Sequence, residues 1–232
     1  MIRTVDTGMP PFNCREGERT MIKGLLFDLD GVLVDTAKYH YLAWKEIAEE
    51  LGFLFAIKDN ERLKGVSRKR SMEILLEIGN IFMDEKEQEA YCERKNRRYV
   101  EYISGMKEDE VLPGTVELLK EARAKGYLTA LGSASKNSMI ILDRLGLTRY
   151  FDAIIDGTKV EKTKPDPEVF IKGAEALGLP CEECLVFEDS EAGIEAAHSA
   201  GMKATGIGSR ENLPEADMVV GSLKEYTLEE IG

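Results

Sequence analysis

The sequence predicts an α/β protein in which a parallel sheet carries helices on both faces and a helical segment is inserted after the first strand. Short apolar runs alternate with amphipathic runs over most of the 232 residues. Repeated strand–helix–strand units of this length form parallel sheets with covered faces. The exception is a charged, helix-rich stretch at about residues 37–107, which is too long for a single crossover connection. We therefore expect an insertion at this point.

Each strand is predicted from a short apolar run bounded by residues that favour turns. The first contains Leu25-Leu26-Phe27 and ends in a polar segment. Runs of this kind are typical of strands buried on both faces of a sheet. In chain order, the predicted strands cover residues 22–28, 128–133, 153–155, 185–187, 204–207 and 218–220.

The helices are predicted from apolar residues that recur every three or four positions. Pro165 and Pro167 precede one of them, and proline suits the first turn of a helix. Within the insertion, the predicted helices cover residues 41–51, 70–76 and 87–103. In the remainder they cover residues 115–124, 137–145, 168–177, 191–200 and 223–231, the last as a packing helix.

These elements predict a core with one inserted unit. The first residues contain Pro10, Pro11 and Gly17 and lack the apolar stretch of a signal peptide. Leu112-Pro113-Gly114 interrupts the chain after the insertion. The predicted division is a flexible leader at residues 1–20, a core made of residues 21–36 and 112–232, and a helical cap at residues 37–111.

Charge and cysteine content exclude several classes of function. The net charge of −12 argues against nucleic acid or an anionic membrane as the main partner, because both require clustered Lys and Arg. No apolar stretch approaches the roughly 18–20 residues that cross a bilayer. The cysteines include one C-x-x-C without a second pair to complete a zinc site. We expect ordinary thiols in a reducing cytoplasm at Cys14, Cys92, Cys181 and Cys184.

Two carboxylates follow the first predicted strand. Residues 28–31 read Asp-Leu-Asp-Gly, and Gly31 lets the backbone turn close to a ligand. Ligands of parallel sheets bind at the carboxyl ends of the strands. Asp28 and Asp30 therefore suit a nucleophilic carboxylate with an acid/base partner. A turn or a helix cap would explain a single D-x-D equally well, but further polar segments follow at other strand ends.

A phosphate site is the chemistry that two of these segments favour. Residues 131–137 open with Ser133, whose hydroxyl and neighbouring backbone N–H groups can hold a phosphate. Serine-rich loops also merely cap helices. Lys164 stands directly before a proline turn, where its charge can neutralise a phosphoryl group. The alternative interpretation is that Lys164 is a solvated charge on the surface.

The fourth polar segment is acidic. Glu188 and Asp189 end an apolar strand, and buried acids without a cation are costly. Together with Asp28 they offer the oxygen ligands that Mg²⁺ prefers beside a phosphate substrate. The sequence therefore predicts a magnesium site at this edge of the sheet.

These four segments, in this order, resemble the haloacid dehalogenase superfamily, specifically its phosphotransferase branch. The resemblance spans residues 22 to about 220 and implies a Rossmann-like core with a mobile cap. It implies that Asp28 becomes an aspartyl phosphate, that Asp30 is the general acid/base, and that Ser133 and Lys164 hold the transferring phosphoryl group. An aspartate at position 30 argues against the dehalogenase branch. The implied Mg²⁺ ligands are Asp28, the backbone carbonyl of Asp30, Glu188 and Asp189.

The insertion is similar to the cap of the β-phosphoglucomutase family within that superfamily. The matching segments are residues 36–40 with Ala43-Trp44, 63–68 with Ser71, 94–96 with Tyr99, and 133–137. The resemblance implies that Arg68 binds the non-transferring phosphate, that Lys95 faces the sugar, and that His40 couples cap closure to proton control at Asp30. The alternative to these two roles is that Arg68 faces solvent and that His40 is a surface residue of a helix. The implied substrate-binding residues are Thr36, His40, Lys64, Gly65, Val66, Arg68, Lys95, Ser133, Ala134, Ser135, Lys136 and Asn137.

The expected activity is therefore the interconversion of β-D-glucose 1-phosphate and glucose 6-phosphate, with Mg²⁺ as cofactor. Glucose 1,6-bisphosphate is the implied intermediate and activator, and we expect a monomer. A magnesium-dependent sugar or polyol phosphate phosphatase shares the four core segments and remains open. A non-catalytic phosphosugar-binding protein is disfavoured, because the full set of charged groups is present.

Overall fold

The computed structural model describes residues 21–63 and 67–231. The predicted leader at residues 1–20 lies outside the described residues, as do three of the implied substrate-binding residues, Lys64, Gly65 and Val66.

Six strands form one parallel sheet. The strands are β1 Gly24–Phe27, β2 Leu128–Gly132, β3 Ala153–Ile155, β4 Cys184–Glu188, β5 Lys203–Ile207 and β6 Met218–Val220. Their order is β3-β2-β1-β4-β5-β6, with every neighbouring pair parallel. This is the order of a Rossmann-like sheet, in which the ligand crevice opens where the order reverses, beside β1. The predicted fold class is confirmed.

The helices fall close to their predicted positions, apart from a short helix at residues 57–60 that was not predicted and the last predicted helix. They are α1 Ala37–Glu50, α2 Ile57–Asn60, α3 Arg68–Gly79, α4 Glu85–Ser104, α5 Thr115–Ala124, α6 Ser138–Arg144, α7 Glu168–Leu177 and α8 Glu191–Ser199. The predicted packing helix at residues 223–231 is wrong, because two short 3₁₀ turns, Leu223–Glu225 and Leu228–Ile231, take its place. Tyr226 between them is extended and packs its ring edge-on against Phe187 at 4.9 Å, which prevents one continuous helix.

The sheet is covered on both faces. Successive side chains of a strand point to opposite faces, so Leu26 and Phe27 enter two different hydrophobic clusters. Phe27 stacks on Phe187 at 4.7 Å between ring centres, and Phe170 of α7 joins the cluster on the other face. This burial on both sides explains the apolar strands in the sequence.

The helices between β1 and α5 form a separate cluster. Its centre contains Trp44, Ile47, Met72 and Leu75, all buried. Helix α4 packs against α1 and α3 and also contacts α6, which lies outside the insertion. These helices agree with the predicted cap, here called the cap segment (residues 37–111), although its exact boundaries stay a prediction.

The two chain segments that enter and leave the cap segment run side by side. The Leu33 carbonyl accepts a hydrogen bond of 2.9 Å from the N–H of Leu112. Val34 and Val111 form an antiparallel bridge next to it. The connections therefore meet at one place beside the sheet. None of the helices in the described part of the chain is both long and apolar enough to cross a membrane.

Candidate active site

The polar segments predicted from the sequence meet at one edge of the sheet. Strands β2, β1 and β4 are parallel neighbours, so their carboxyl ends lie together. Asp28 directly follows β1 and its N–H donates to the carbonyl of Phe187, 3.0 Å away. Ser133 follows β2 and is 1% exposed. Glu188 is the last residue of β4 and is equally buried.

Lys164 joins two of these strand ends. Its Nζ donates to Asp28 Oδ1 at 2.5 Å and to Glu188 Oε1 at 2.7 Å. Burial alone disfavours the ammonium, but the two carboxylates outweigh it and raise the pKa of Lys164 above its usual range. Lys164 is therefore charged at every physiological pH. The solvated-charge alternative is excluded by a side chain that is only 9% exposed.

The loop that carries Lys164 is held by a residue that sequence reasoning missed. The carboxylate of Glu168, at the start of α7, accepts the N–H groups of Glu161 and Lys162 at 2.9 and 2.8 Å. Lys172 donates to the same carboxylate at 2.5 Å. These hydrogen bonds lower the pKa of Glu168 to about 2. In the sequence, Glu168 gives no signal beyond its place at a helix start.

Three carboxylates form a possible cation site. Single oxygens of Asp28, Glu188 and Asp189 lie within 4.8 Å of one another. Burial raises the pKa of Asp28 to about 7, with Lys164 opposing the shift and Glu188 adding to it. Desolvation and the neighbouring charges of Glu188 and Asp28 raise the pKa of Asp189 to about 8. A divalent cation would relieve this repulsion, and carboxylate oxygens are the ligands of Mg²⁺. The residues present fit that ion.

Asp30 has different surroundings from these three carboxylates. Its Oδ1 accepts a hydrogen bond from the hydroxyl of Thr36. Burial raises the pKa of Asp30, while this hydrogen bond and Lys164 oppose the shift. A carboxyl group that retains its proton more readily suits an acid/base role. The implied metal contact through the Asp30 backbone carbonyl stays a prediction.

A lysine and a histidine of the cap segment are in contact. Lys95 Nζ lies 2.8 Å from His40 Nδ1, and its ammonium packs over the rings of Trp44 and Tyr99 at 5.2 and 4.7 Å. Burial and the charge of Arg68 lower the pKa of Lys95 to about 7. Burial and both neighbouring cations lower the pKa of His40 well below its usual range, so a neutral His40 accepts from Lys95.

Tyr99 was not among the predicted site residues, although it belongs to one matching segment. Its ring lies 4.2 Å from that of His40, and its side chain is 1% exposed. Among the described residues its hydroxyl has no hydrogen-bond partner, although Thr36 and Asp30 are close enough to influence its pKa. Burial raises that pKa, so the hydroxyl stays protonated. Its place in that matching segment is the signal in the sequence that could have indicated this position.

The residues implied to bind the second phosphate come from the cap segment and from the core, and the place where these two meet at Asn96 and Asn137 is here called the cleft. Arg68 Nη2 donates to Asn96 Oδ1 at 2.8 Å, and Asn137 Nδ2 donates to the same oxygen at 3.0 Å. Arg68 begins α3 and Asn137 precedes α6, so cap segment and core meet here. The Arg68 side chain remains partly open to solvent.

The loop at residues 131–137, here called the serine loop, differs from expectation in one respect. Two of its backbone N–H groups are not free, because Ser135 donates to Ser133 Oγ at 3.1 Å and Asn137 donates to Ser135 Oγ at 3.3 Å. Serine hydroxyls commonly close such local turns. Ala134 and Lys136 are exposed in the same loop. A phosphate would have to compete with these hydroxyls for the two donors.

Gly193 of α8 leaves the space that Glu188 occupies. A Cβ at this position would lie 1.9 Å from Glu188 Cδ. Ser190, at the N-cap of α8, donates to Glu188 Oε2 at 2.9 Å and accepts the N–H of Gly193 at 3.1 Å. The first turn of α8 therefore fixes one candidate metal ligand.

The variant Gly193→Ala should displace Glu188 and raise the Mg²⁺ concentration needed for half-maximal activity by roughly 10-fold, the effect typical of disturbing a metal ligand's support. Titration of activity with Mg²⁺ measures it. Glu195→Ala on the exposed side of the same helix is the control and should leave the curve unchanged. An unaltered midpoint in Gly193→Ala would argue against Glu188 as a ligand.

Several known proteins are similar to this chain over most of its length. The model of haloacid dehalogenase-like hydrolases matches residues 22–201. The β-phosphoglucomutase of Bacillus subtilis (strain 168) is 42% identical over 211 residues, covering 90% of this chain and 93% of that protein. A phosphorylated carbohydrates phosphatase of Thermotoga maritima is 34% identical, covering 78% of this chain and 83% of that protein.

A solved structure is similar over nearly the whole chain. The crystal structure of a β-phosphoglucomutase from Clostridium difficile superposes with a TM-score of 0.84 at 40% identity, covering 91% of this chain and 96% of that one. The resemblance predicted from the four polar segments is thereby confirmed. On the family match and on these relatives, the chain belongs to the haloacid dehalogenase-like hydrolase family.

Proposed function

We propose that this enzyme is a phosphomutase that interconverts β-D-glucose 1-phosphate and glucose 6-phosphate. The observation that carries the proposal is the pair of cationic groups, one in the core and one on the cap segment. Lys164 lies among the carboxylates of the core, and Arg68 of the cap segment is linked to Asn137 through Asn96. A sugar bisphosphate needs a site for each of its two phosphates. The 42% identical B. subtilis β-phosphoglucomutase supports the same reading.

In the first step, phosphorylated Asp28 donates to the C6 hydroxyl of the sugar. The O6–P bond forms, the bond between phosphorus and Asp28 breaks, and the Asp30 carboxylate takes the hydroxyl proton. Lys164 is within hydrogen-bonding distance of Asp28 and offsets the charge that returns to that carboxylate. Mg²⁺ held by Asp28, the Asp30 carbonyl, Glu188 and Asp189 would neutralise charge on the transferring group.

In the second step, β-glucose 1,6-bisphosphate presents its C1 phosphate to Asp28. The Asp28 carboxylate attacks phosphorus, the C1–oxygen keeps the electrons of the broken O–P bond, and protonated Asp30 returns its proton to that oxygen. Burial raises the pKa of Asp30, which favours the protonated form that this step requires. The product is glucose 6-phosphate, and Asp28 is phosphorylated again. Added bisphosphate would phosphorylate resting enzyme, which makes it the expected activator.

The cap segment explains why a sugar would be preferred to water. Arg68 supplies a fork of N–H groups that matches a phosphate better than the point charge of a lysine. Closure over a bound sugar phosphate excludes water from the aspartyl phosphate. Thr36 donates to Asp30, Lys95 contacts His40, and the charge of Arg68 acts on His40. The sugar ring would adjoin the side chains of Thr36, His40 and Lys95.

A phosphatase acting on sugar phosphates is the second candidate. The T. maritima phosphatase is 34% identical to this chain, and hydrolysis requires only that water replace the sugar hydroxyl at the same carboxylates. The two activities differ in their products.

One assay separates the candidates. The enzyme is mixed with Mg²⁺, β-glucose 1-phosphate and a trace of glucose 1,6-bisphosphate, and glucose 6-phosphate and free phosphate are measured together. Fast formation of glucose 6-phosphate with little phosphate would support the mutase. Phosphate as the main product would support the phosphatase. A parallel reaction with the α-anomer tests the anomeric preference. If neither glucose 6-phosphate nor phosphate forms, the substrate assigned to both candidate activities is refuted.

Replacing Arg68 with Ala should raise the KM for β-glucose 1-phosphate by roughly 10- to 100-fold, the effect expected when a charge-assisted hydrogen bond is lost. Hydrolysis of acetyl phosphate, which has no second phosphate, should stay unchanged. Arg62→Ala is the matched control, because Arg62 pairs with Glu77 on the cap segment. Equal loss on both substrates would contradict a specific phosphate contact.

A further inference from the structure

We propose that Asn96 is a positioning residue that assembles the second phosphate site across the cleft. The inference rests on the proposed function, because it concerns the site for the non-transferring phosphate. Asn96 lies on α4, and its Oδ1 accepts one hydrogen bond from Arg68 at 2.8 Å and another from Asn137 at 3.0 Å. One neutral oxygen thus connects a cation of the cap segment to the serine loop of the core.

Within the described ranges, Arg68 and Asn137 keep side-chain donors that their bonds to Asn96 do not use. Arg68 has five N–H bonds and Asn137 has two amide hydrogens, and Asn96 uses one from each side chain. The remaining hydrogens can turn to the oxygens of a phosphate. Asn96 therefore acts on the site by fixing its two partners, not as a ligand itself.

This link matters because both partners would otherwise be loosely held. Arg68 is exposed, and an unrestrained arginine loses rotamer freedom when it binds an anion. Asn137 stands at the start of α6, and its other hydrogen bonds to described residues are local ones to Ser135, Ile140 and Ile141. A second hydrogen bond between the cap segment and the core, from Arg144 Nε to the Met106 carbonyl at 2.9 Å, lies at the far end of α4. Asn96 supplies the link inside the cleft.

The neutral charge of Asn96 is part of the inference. Arg68 donates to this amide, and its charge helps burial to lower the pKa of Lys95, the residue before Asn96. An aspartate here would accept the same two hydrogen bonds, but its charge would pair with Arg68 and repel an incoming phosphate. The two variants Asn96→Ala and Asn96→Asp therefore separate loss of the link from loss of neutrality.

The test is the dissociation constant of glucose 6-phosphate, measured by titration calorimetry with Mg²⁺ present. Asn96→Ala should weaken binding by roughly 10-fold, and Asn96→Asp should weaken it more, because repulsion is added to a link that is retained. In steady-state assays the loss should appear in KM, with kcat changed much less. Acetyl phosphate hydrolysis should remain at the wild-type rate in both variants.

Gln88→Ala is the control, because Gln88 is another α4 amide and donates to the Met83 carbonyl away from the cleft. Its glucose 6-phosphate affinity should match that of the wild type. Wild-type affinity in Asn96→Ala would overturn the positioning role, and stronger binding by Asn96→Asp would overturn the charge argument. If the wild-type protein itself does not bind glucose 6-phosphate, the proposed function fails and this inference fails with it, an outcome distinct from the other two.

Discussion

Replacing Asp28 with Asn is expected to lower phosphoryl transfer by at least about 10⁴-fold, because the amide cannot act as the nucleophile that forms the acyl phosphate. Asp28 shares its contact with Lys164 and its place in the three-carboxylate cluster with Glu188, but Asp28 directly follows β1, where the ligand crevice of such a sheet opens. The fold should survive, since burial already raises the pKa of Asp28 to about 7 and an amide carries no charge to desolvate. Turnover of β-glucose 1-phosphate and the melting temperature together measure both effects.

A carboxylate in the same loop provides the control for this experiment. Asp35 is exposed, and in the described part of the chain it accepts only the local N–H of Ala37, at 2.9 Å, so Asp35→Asn should retain mutase activity. Labelled phosphate should be trapped on the wild-type chain and on Asp35→Asn, but not on Asp28→Asn. Appreciable mutase activity, or a labelled protein, in Asp28→Asn would refute the nucleophile assignment.

The variant Asp30→Asn should slow transfer to and from the sugar by roughly 10² to 10⁴-fold, the usual contribution of a general acid/base. A sugar oxygen is a poor leaving group that needs a proton, whereas the acetate of acetyl phosphate leaves without one. Phosphorylation of Asp28 by acetyl phosphate should therefore stay close to the wild-type rate. Rapid-quench measurement of the two half-reactions gives the comparison.

This difference between the two phosphoryl donors, sugar phosphate and acetyl phosphate, distinguishes an acid/base role of Asp30 from a structural one. Asp30 is held by the hydroxyl of Thr36, and its loss could also disturb the loop after β1. A disturbed loop would slow both half-reactions together, since Asp28 belongs to that loop. Equal slowing with both donors would therefore reject Asp30 as the proton carrier.

The sequence predicted which polar residues meet at the edge of the sheet better than it predicted the contacts of the cap segment. Asp28 and Lys164 are 136 positions apart, yet both were placed at one site, because parallel neighbouring strands bring their carboxyl ends together. The contacts of Asn96 and Tyr99 depend on how α4 packs against the core, and helix periodicity does not contain that information. The C-terminal helix failed for a related reason: Tyr226 packs on Phe187, a contact that overrides local helix preference.

The adjacent entry and exit of the cap segment have a consequence for how substrate choice can diverge in this family. Leu33 pairs with Leu112, and Val34 with Val111, so the whole segment is attached through two neighbouring junctions. A cap from a relative could be transplanted with two joins at a single point, leaving the sheet and its carboxylates intact. Selection could then exchange the part that recognises the sugar while the phosphoryl chemistry stayed as it was, which makes recognition a replaceable module.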